Sequence, residues 1–238
     1  MVSCMRPVQR REVLGLLVGA ALGRRAFAAP VAPRAARDAV DHVVIGVADL
    51  DKGVAVIEDR LGVRPTIGGS HPGRGTWNAL FSLGPSQYAE LVAPDPKQKG
   101  TPDAFGLSGL AEPRFLVWAA SSPDIDALLA QVQAAGHAAE IRPGSRVRPD
   151  GRKLGWRTLS TALKDPLLPF FIQWDAGSVH PSADSPAGCS LLALEFEGPD
   201  PAASEKALAV VGLQAKVAQA PAARLKLRIR SPKGDIAL

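Results

Sequence analysis

One order of elements can be read three times after residue 38: a short apolar strand, an amphipathic helix, then three further strands. A single four-stranded unit cannot cover its own apolar face, so such copies must pair and curl together, leaving a concave cleft between them. A cleft with convergent polar groups is where a ligand site is expected. The pattern therefore predicts an α+β chain built of repeated βαβββ modules, two of them paired into a half-barrel and a shorter third following.

The first copy (39–95) opens on the β-branched run His42 to Val47, after which Leu50, Val54, Ile57 and Leu61 recur at helical spacing. Asp49 is the expected N-cap and Gly62 the expected stop. Trp77 to Leu83 and Gln87 to Ala93 complete the unit as strands. The second copy (113–176) repeats the order: Arg114 to Ala119, a helix over Asp124 to Ala135, Ala139 to Ile141, Trp156 to Ala162 and Phe170 to Trp174, with Pro143 to Lys153 as a loop or hairpin. Within 190–238, Leu191 to Phe196, a helix from Ala203 to Val211, Ala215 to Ala218, Arg224 to Arg230 and Asp235 to Leu238 fit the same succession.

Ahead of the repeats, Arg10-Arg11 precedes the apolar run Val13 to Leu22, and Ala26-Phe27-Ala28 offers small residues where a signal peptidase cuts. Arg24 and Arg25 lie between the run and the cut, a combination similar to a twin-arginine export signal over residues 1–28. The expected destination is a periplasm, with a thylakoid lumen as the alternative. The run is too short for a lasting membrane anchor, and residues 29–38 read as a linker.

Five arginines against Glu12 give the leader +4 of the chain's formal +5, leaving a body near +1. Such a body lacks the electrostatic footprint for a phosphate backbone, which excludes nucleic acid as the leading partner. Apolar residues make up 46% of the chain, enough for a packed core. Cys189 stands alone in the body and reads as a small buried residue or, less simply, a nucleophile.

The segments Val40 to Val47, Gly69 to Leu80 and Tyr88 to Ala93, with Phe170 to Asp175 and His180-Pro181, resemble the vicinal oxygen chelate superfamily, and within it the glyoxalase-like domain group. The resemblance spans roughly residues 39–185. It implies paired βαβββ modules around a divalent metal (Zn, Ni, Fe, Co or Mn) that binds two oxygens of a small substrate. On that reading His42, Glu90 and Gln173 are the metal ligands, with Val117 or Leu116 where a further ligand is expected. An imidazole, a carboxylate and an amide oxygen suit such an ion.

The glycines at 68, 69, 73 and 75 let a backbone approach a ligand closely, and His71, Arg74, Trp77 and Asn78 follow in that stretch. His71 and Glu90 are the candidate proton-transfer groups; Arg74, Trp77, Asn78 and His180 are the candidate substrate contacts. Arg146, Arg148 and Arg152 either hold a substrate carboxylate or phosphate or form a solvated hairpin face.

Three readings follow: an exported metal-dependent isomerase, lyase or dioxygenase acting on a small oxygen-rich molecule; a metal-free binding protein on the same fold; or an assembly role with the third copy as a dimerisation surface.

Overall fold

The computed structural model describes residues 32–98, 100, 103, 105–148 and 150–238. The leader expected over 1–28 lies outside the described residues. In chain order the elements are β1 (Arg34–Ala35), α1 (Ala36–Ala39), β2 (Val40–Gly46), α2 (Leu50–Leu61), β3 (Thr66–His71), β4 (Thr76–Ser82) and β5 (Tyr88–Pro94). There follow β6 (Arg114–Ser121), α3 (Ile125–Ala134), β7 (Ala139–Val147), β8 (Lys153–Thr161) and β9 (Phe170–Trp174). The chain ends with β10 (Ser190–Gly198), α4 (Pro201–Val210), β11 (Leu213–Gln214), β12 (Val217–Gln219), β13 (Arg224–Ser231) and β14 (Gly234–Ala237).

The first two copies fold as the pattern requires. Asp49 caps α2 by accepting from the Lys52 amide, and Gly62 ends it in the left-handed region at φ 73°, where a side chain is disfavoured. Asp124 caps α3 in the same way, accepting from the amides of Asp126 and Ala127. Each copy pairs its first strand in parallel with its last, and the two first strands β2 and β6 pair antiparallel at the centre. The result is one eight-stranded sheet in the order β3-β4-β5-β2-β6-β9-β8-β7. Pro143 lies inside β7, so the expected hairpin includes a longer strand than the apolar pattern marks. This is allowed because β7 is an edge strand, where a missing N–H can go unpaired.

Strand alternation divides the sheet into two faces. Val43, Ile45, Leu91 and Trp118 point outward into the main core with Leu50, Ile57, Ile125 and Leu128 of the helices. His42 and Val44 of β2, Glu90 and Val92 of β5, and Phe170 of β9 point inward. One end of the inner face is plugged: Leu107 and Leu110 pack on Val44, Val92, Leu116, Val117 and Phe170. A Cβ at Gly46 would lie 2.7 Å from Leu116 and 2.8 Å from Leu107, so the plug seats only because that position has no side chain. The other end stays open.

The third copy keeps the element order but not the pairing. Its strands form a separate four-stranded sheet, β12-β10-β13-β14, with β10 in the middle, parallel to β12 and antiparallel to β13. In the first two copies the opening strand pairs in parallel with the last strand of its own module, so the third unit repeats their element order with a different strand pairing. The physical reason is packing. This unit lays Leu191, Leu194, Phe196, Leu227 and Ile229 into the same outer core as α2 and α3, so it closes the convex side rather than extending the sheet.

Trp118 lies at the joint. It is fully buried, donates from Nε1 to Leu167 O at 3.0 Å and meets Phe196 edge-on with centroids 5.8 Å apart. Truncating such a residue costs about 3–5 kcal/mol.

Part of the expected linker also belongs to the fold. Residues 34–35 pair in parallel with β11, and Ala36 and Ala39 of α1 are buried, because alanine fits where two packed layers approach closely. No helix among the described residues is long and apolar enough to cross a membrane.

Candidate functional site

The open end of the half-barrel holds a cavity of about 350 Å³. The first module contributes His42, His71, Arg74, Asn78, Tyr88 and Glu90; the second contributes β7 from Pro143 to Arg146 with Trp156, Thr158, Phe170, Ile172 and Trp174. The two edge strands approach each other across the mouth, where Arg146 Nη1 donates to Gly68 O. Gly68 and Gly69 serve this closure rather than a ligand. A Cβ at Gly68 would collide with Asn78 Oδ1, and one at Gly69, at φ 131°, would sit 3.1 Å from Val147 O.

Glu90 is the centre of the polar network. It is 8% exposed; Asn78 Nδ2 donates to its Oε1 at 2.6 Å, His71 Nε2 lies 3.3 Å from the same oxygen, and His42 Nε2 lies 3.6 Å from Oε2. Burial alone pushes the Glu90 carboxyl up, but the hydrogen bond from His71, the charges of His71 and His42 and the bond from Asn78 outweigh it, holding it down at about 2. Glu90 is therefore ionised and accepts only. His71 Nε2 also lies 3.2 Å from Asn78 Nδ2, and the Thr76 hydroxyl lies 2.9 Å from Nδ1. Keeping Nδ2 on Glu90 leaves Asn78 Oδ1 buried without a partner among the described residues, an arrangement that costs about 1–3 kcal/mol.

Behind His42 stands Asp41, 2% exposed. Its Oδ1 lies 2.8 Å from His42 Nδ1; Oδ2 accepts from Trp174 Nε1 at 3.1 Å and lies 3.2 Å from His180 Nε2. Burial again pushes this carboxyl up, and the bonds and charges of His180 and His42 pull it down to about 2. An ionised Asp41 accepts only, so His42 holds a proton on Nδ1 and aims Nε2 toward the cavity. The Ser182 amide donates to His180 Nδ1 at 3.2 Å, so the ring turns an Nε2 proton toward Asp41. Tyr88 stacks on the His42 ring at 4.7 Å and fixes its plane.

The expected site residues separate as follows. His42, His71, Arg74, Asn78 and Glu90 all line the cavity. Trp77 does not: it alternates with Asn78 along β4 and packs against the outer core. His180 does not line the cavity either, and acts on it through Asp41. Gln173 is turned to the outer face between Ile172 and Trp174, where its Oε1 accepts from Arg157 at 2.6 Å and its Nε2 donates to Pro123 O at 2.7 Å.

Gln173 also is not the counterpart of Glu90. The two N-caps are 75 positions apart (124 less 49), which sets Val117 against His42; Ala119 then pairs with Phe170 as Val44 pairs with Glu90. The second module thus presents Val117 and Phe170 where the first presents His42 and Glu90. Among the described residues no group of three or more His, Cys, Asp or Glu side chains is arranged to hold a metal. With Gln173 turned away and apolar residues at the matching positions, the residues do not fit a resident divalent metal.

The residues missed by the sequence pattern are Asp41, Tyr88 and the inward role of Arg146. Arg148 and Arg152 belong to the hairpin surface, paired with Asp184 at 2.8 and 3.0 Å. Cys189 is buried, and burial pushes its thiol up to about 11, the state of an inert thiol.

Residues 40–212 match the model of the glyoxalase-like domain family. No curated protein matches the chain. Among solved structures, a hypothetical protein from Staphylococcus aureus superposes with a TM-score of 0.61 at 16% identity, over 78% of this chain and 87% of that one. Methylmalonyl-CoA epimerase from Mycobacterium tuberculosis gives 0.42 at 23% identity, over 56% of this chain and 86% of that one. The Streptomyces coelicolor epimerase, in complex with 2-nitronate-propionyl-CoA, gives 0.42 at 19%, over 59% and 96%. The Staphylococcus aureus structure shares the fold, and the family match covers well over half of the chain: the protein belongs to the glyoxalase-like domain family.

Proposed function

We propose that the protein is an isomerase-type enzyme that moves a proton on a small, oxygen-rich molecule, using its own side chains as acid and base. The observation that carries this reading is the pair of imidazoles on either side of one ionised carboxylate. His42 and His71 both turn Nε2 toward Glu90 in the same cavity; in the proposed reaction His42 supplies the lone pair and His71 the N–H.

His42 is the base. Its Nδ1–H is held by buried Asp41, which orients the ring and stabilises the imidazolium formed when Nε2 takes a proton from a carbon beside a carbonyl. Glu90 stabilises the same cation from the other side. His71 Nε2–H supplies a donor toward the oxygen on which charge develops. Trp156, Trp174 and Phe170 exclude water around the reacting atoms. No step requires a metal.

The test is deuterium exchange from D2O into a panel of small 2-oxo and 2-hydroxy compounds, followed by NMR. Exchange that is lost in a folded His42→Gln variant and unaffected by chelator is the expected result. A wild-type protein that binds such compounds without exchanging any proton would leave the binding-protein reading in its place, and exchange abolished by chelator would overturn the metal-free chemistry.

We also propose export by the twin-arginine route to a periplasm, supported by Arg10-Arg11, the short apolar run and Ala26-Phe27-Ala28. Replacing both arginines with lysine should leave the precursor uncleaved in the cytosol; a mature N-terminus near residue 29 in that variant would refute it.

A further inference from the structure

Arg146 is an uncommon residue to find at the wall of a small cavity. It is 5% exposed, lines the cavity opposite Glu90, and its Nη1 donates to a neutral acceptor, Gly68 O. Among the described residues no carboxylate lies within ion-pair distance of its guanidinium, whereas Arg148 and Arg152 on the same hairpin are both paired. A buried cation without an anionic partner costs several kcal/mol, so a fold that keeps one at the edge of an open cavity has a use for its charge.

We infer that Arg146 is the anchor for a carboxylate group on the substrate, so that the molecule acted on is a small organic acid. The inference rests on the proton-transfer reading of this site and adds the class of compound.

Two observations favour carboxylate over phosphate. The guanidinium is a planar fork that matches two carboxylate oxygens, and Nη1 alone is committed to Gly68. Ionised Glu90 faces the same cavity, which disfavours a phosphate of up to two charges more than a single carboxylate. The cavity, about 350 Å³, has ample room for a small acid beside Trp156, Trp174 and Phe170. The Tyr88 hydroxyl makes no hydrogen bond to the described residues, and burial, with the charges of Glu90 and Asp41, pushes its pKa well up. It stays a neutral donor for the acid's second oxygen function.

Calorimetric titration with the monocarboxylates glycolate and acetate, against glycolamide, acetamide and inorganic phosphate, tests this without requiring turnover. Both monocarboxylates are expected to bind, glycolate the more tightly, and the amides and phosphate not to. Arg146→Lys, which keeps the charge and loses the fork, should weaken glycolate at least tenfold. The paired surface change Arg148→Gln with Arg152→Gln should leave it unchanged. Arg146→Gln should abolish binding; where that variant does not fold, the lysine variant decides alone.

Equal affinity for glycolate and glycolamide, preference for phosphate, or undiminished binding in the lysine variant would each overturn the proposal. The His42→Gln variant separates this from the function itself: glycolate binding retained with exchange lost supports both. Exchange into neutral carbonyl compounds without any affinity for acids sinks the anchor and spares the chemistry.

Discussion

The two modules of the half-barrel share a backbone and divide the work. β2 and β5 carry His42 and Glu90; β6 and β9 carry Val117 and Phe170 at the matching positions. The first module also supplies Asp41, His71 and Asn78, so the buried carboxylates and the cavity-facing imidazoles lie within one repeat. The second gives aromatic walls and, from its edge strand, Arg146. A duplicated fold can therefore keep its packing while one copy specialises in charge and the other in shape, because the outer core depends on outward residues such as Val43, Ile45 and Trp118 and not on what the inner face displays.

The sharpest break is at the base. With His42→Gln the cavity keeps its shape and its anchor, and exchange should fall by about 10²–10⁴-fold, the usual contribution of a positioned base. Val117→Ala, at the matching position of the second module, should change exchange less than tenfold. Comparable losses from both would mean that the division of labour is wrong; NMR exchange rates on folded variants decide it.

Acid should act through the first module too. Glu90 titrates near 2 in the folded protein against 4.5 ordinarily, so its contribution is fully present above pH 4.5 and is lost as pH falls toward 2. A depression of this size corresponds to about 3 kcal/mol. Asp41, also depressed to about 2, acts in the same direction over the same window. Urea unfolding across pH 2–6 should show a loss of stability that is smaller in Glu90→Gln. An identical acid limb in that variant would place the sensitivity elsewhere.

The asymmetry can also be undone. Val117→His with Phe170→Glu gives the second module, at the matching positions, the ligand types that the first carries. Added zinc, nickel or cobalt should raise the melting temperature of this variant and not of the wild type, by about 2.7 kcal/mol of stabilisation at a hundredfold excess over Kd. A wild-type response of equal size would show that His42 and Glu90 suffice for an ion.

Why some of this was legible in the sequence and some not follows from particular residues. Helix caps and strand alternation act locally, so Asp49, Gly62, His42 and Glu90 could be placed from pattern alone. Gln173 could not, because its face depends on register with β6, and Phe170, Ile172 and Trp174 hold the inner side. Asp41 and His42 are neighbours on one strand and ordinarily point apart; a bulge between Val40 and His42 lets the two side chains meet. Arg146 was indistinguishable from Arg148 and Arg152 until the β3 and β7 edges were seen to approach. The third unit shows the same limit: element order is written locally, and strand pairing is decided by which apolar face needs cover.

The smallest expected effect concerns His180, which reaches the first module from beyond the second. It is one of three donors to Asp41 and touches no cavity atom, so His180→Ala should cost about 1 kcal/mol of stability and only a few-fold in exchange. The informative readout is the pH profile. Losing this donor removes part of what holds the Asp41 carboxyl down, so its pKa rises from about 2 toward the ordinary 3.8 and the acid limb of the exchange profile moves up with it. His180→Gln, whose side-chain amide can still donate, should return the limb toward the wild-type position. A slower enzyme with an unmoved acid limb would make His180 a packing residue of the 175–189 segment, and Asp41 would then hold His42 without its help.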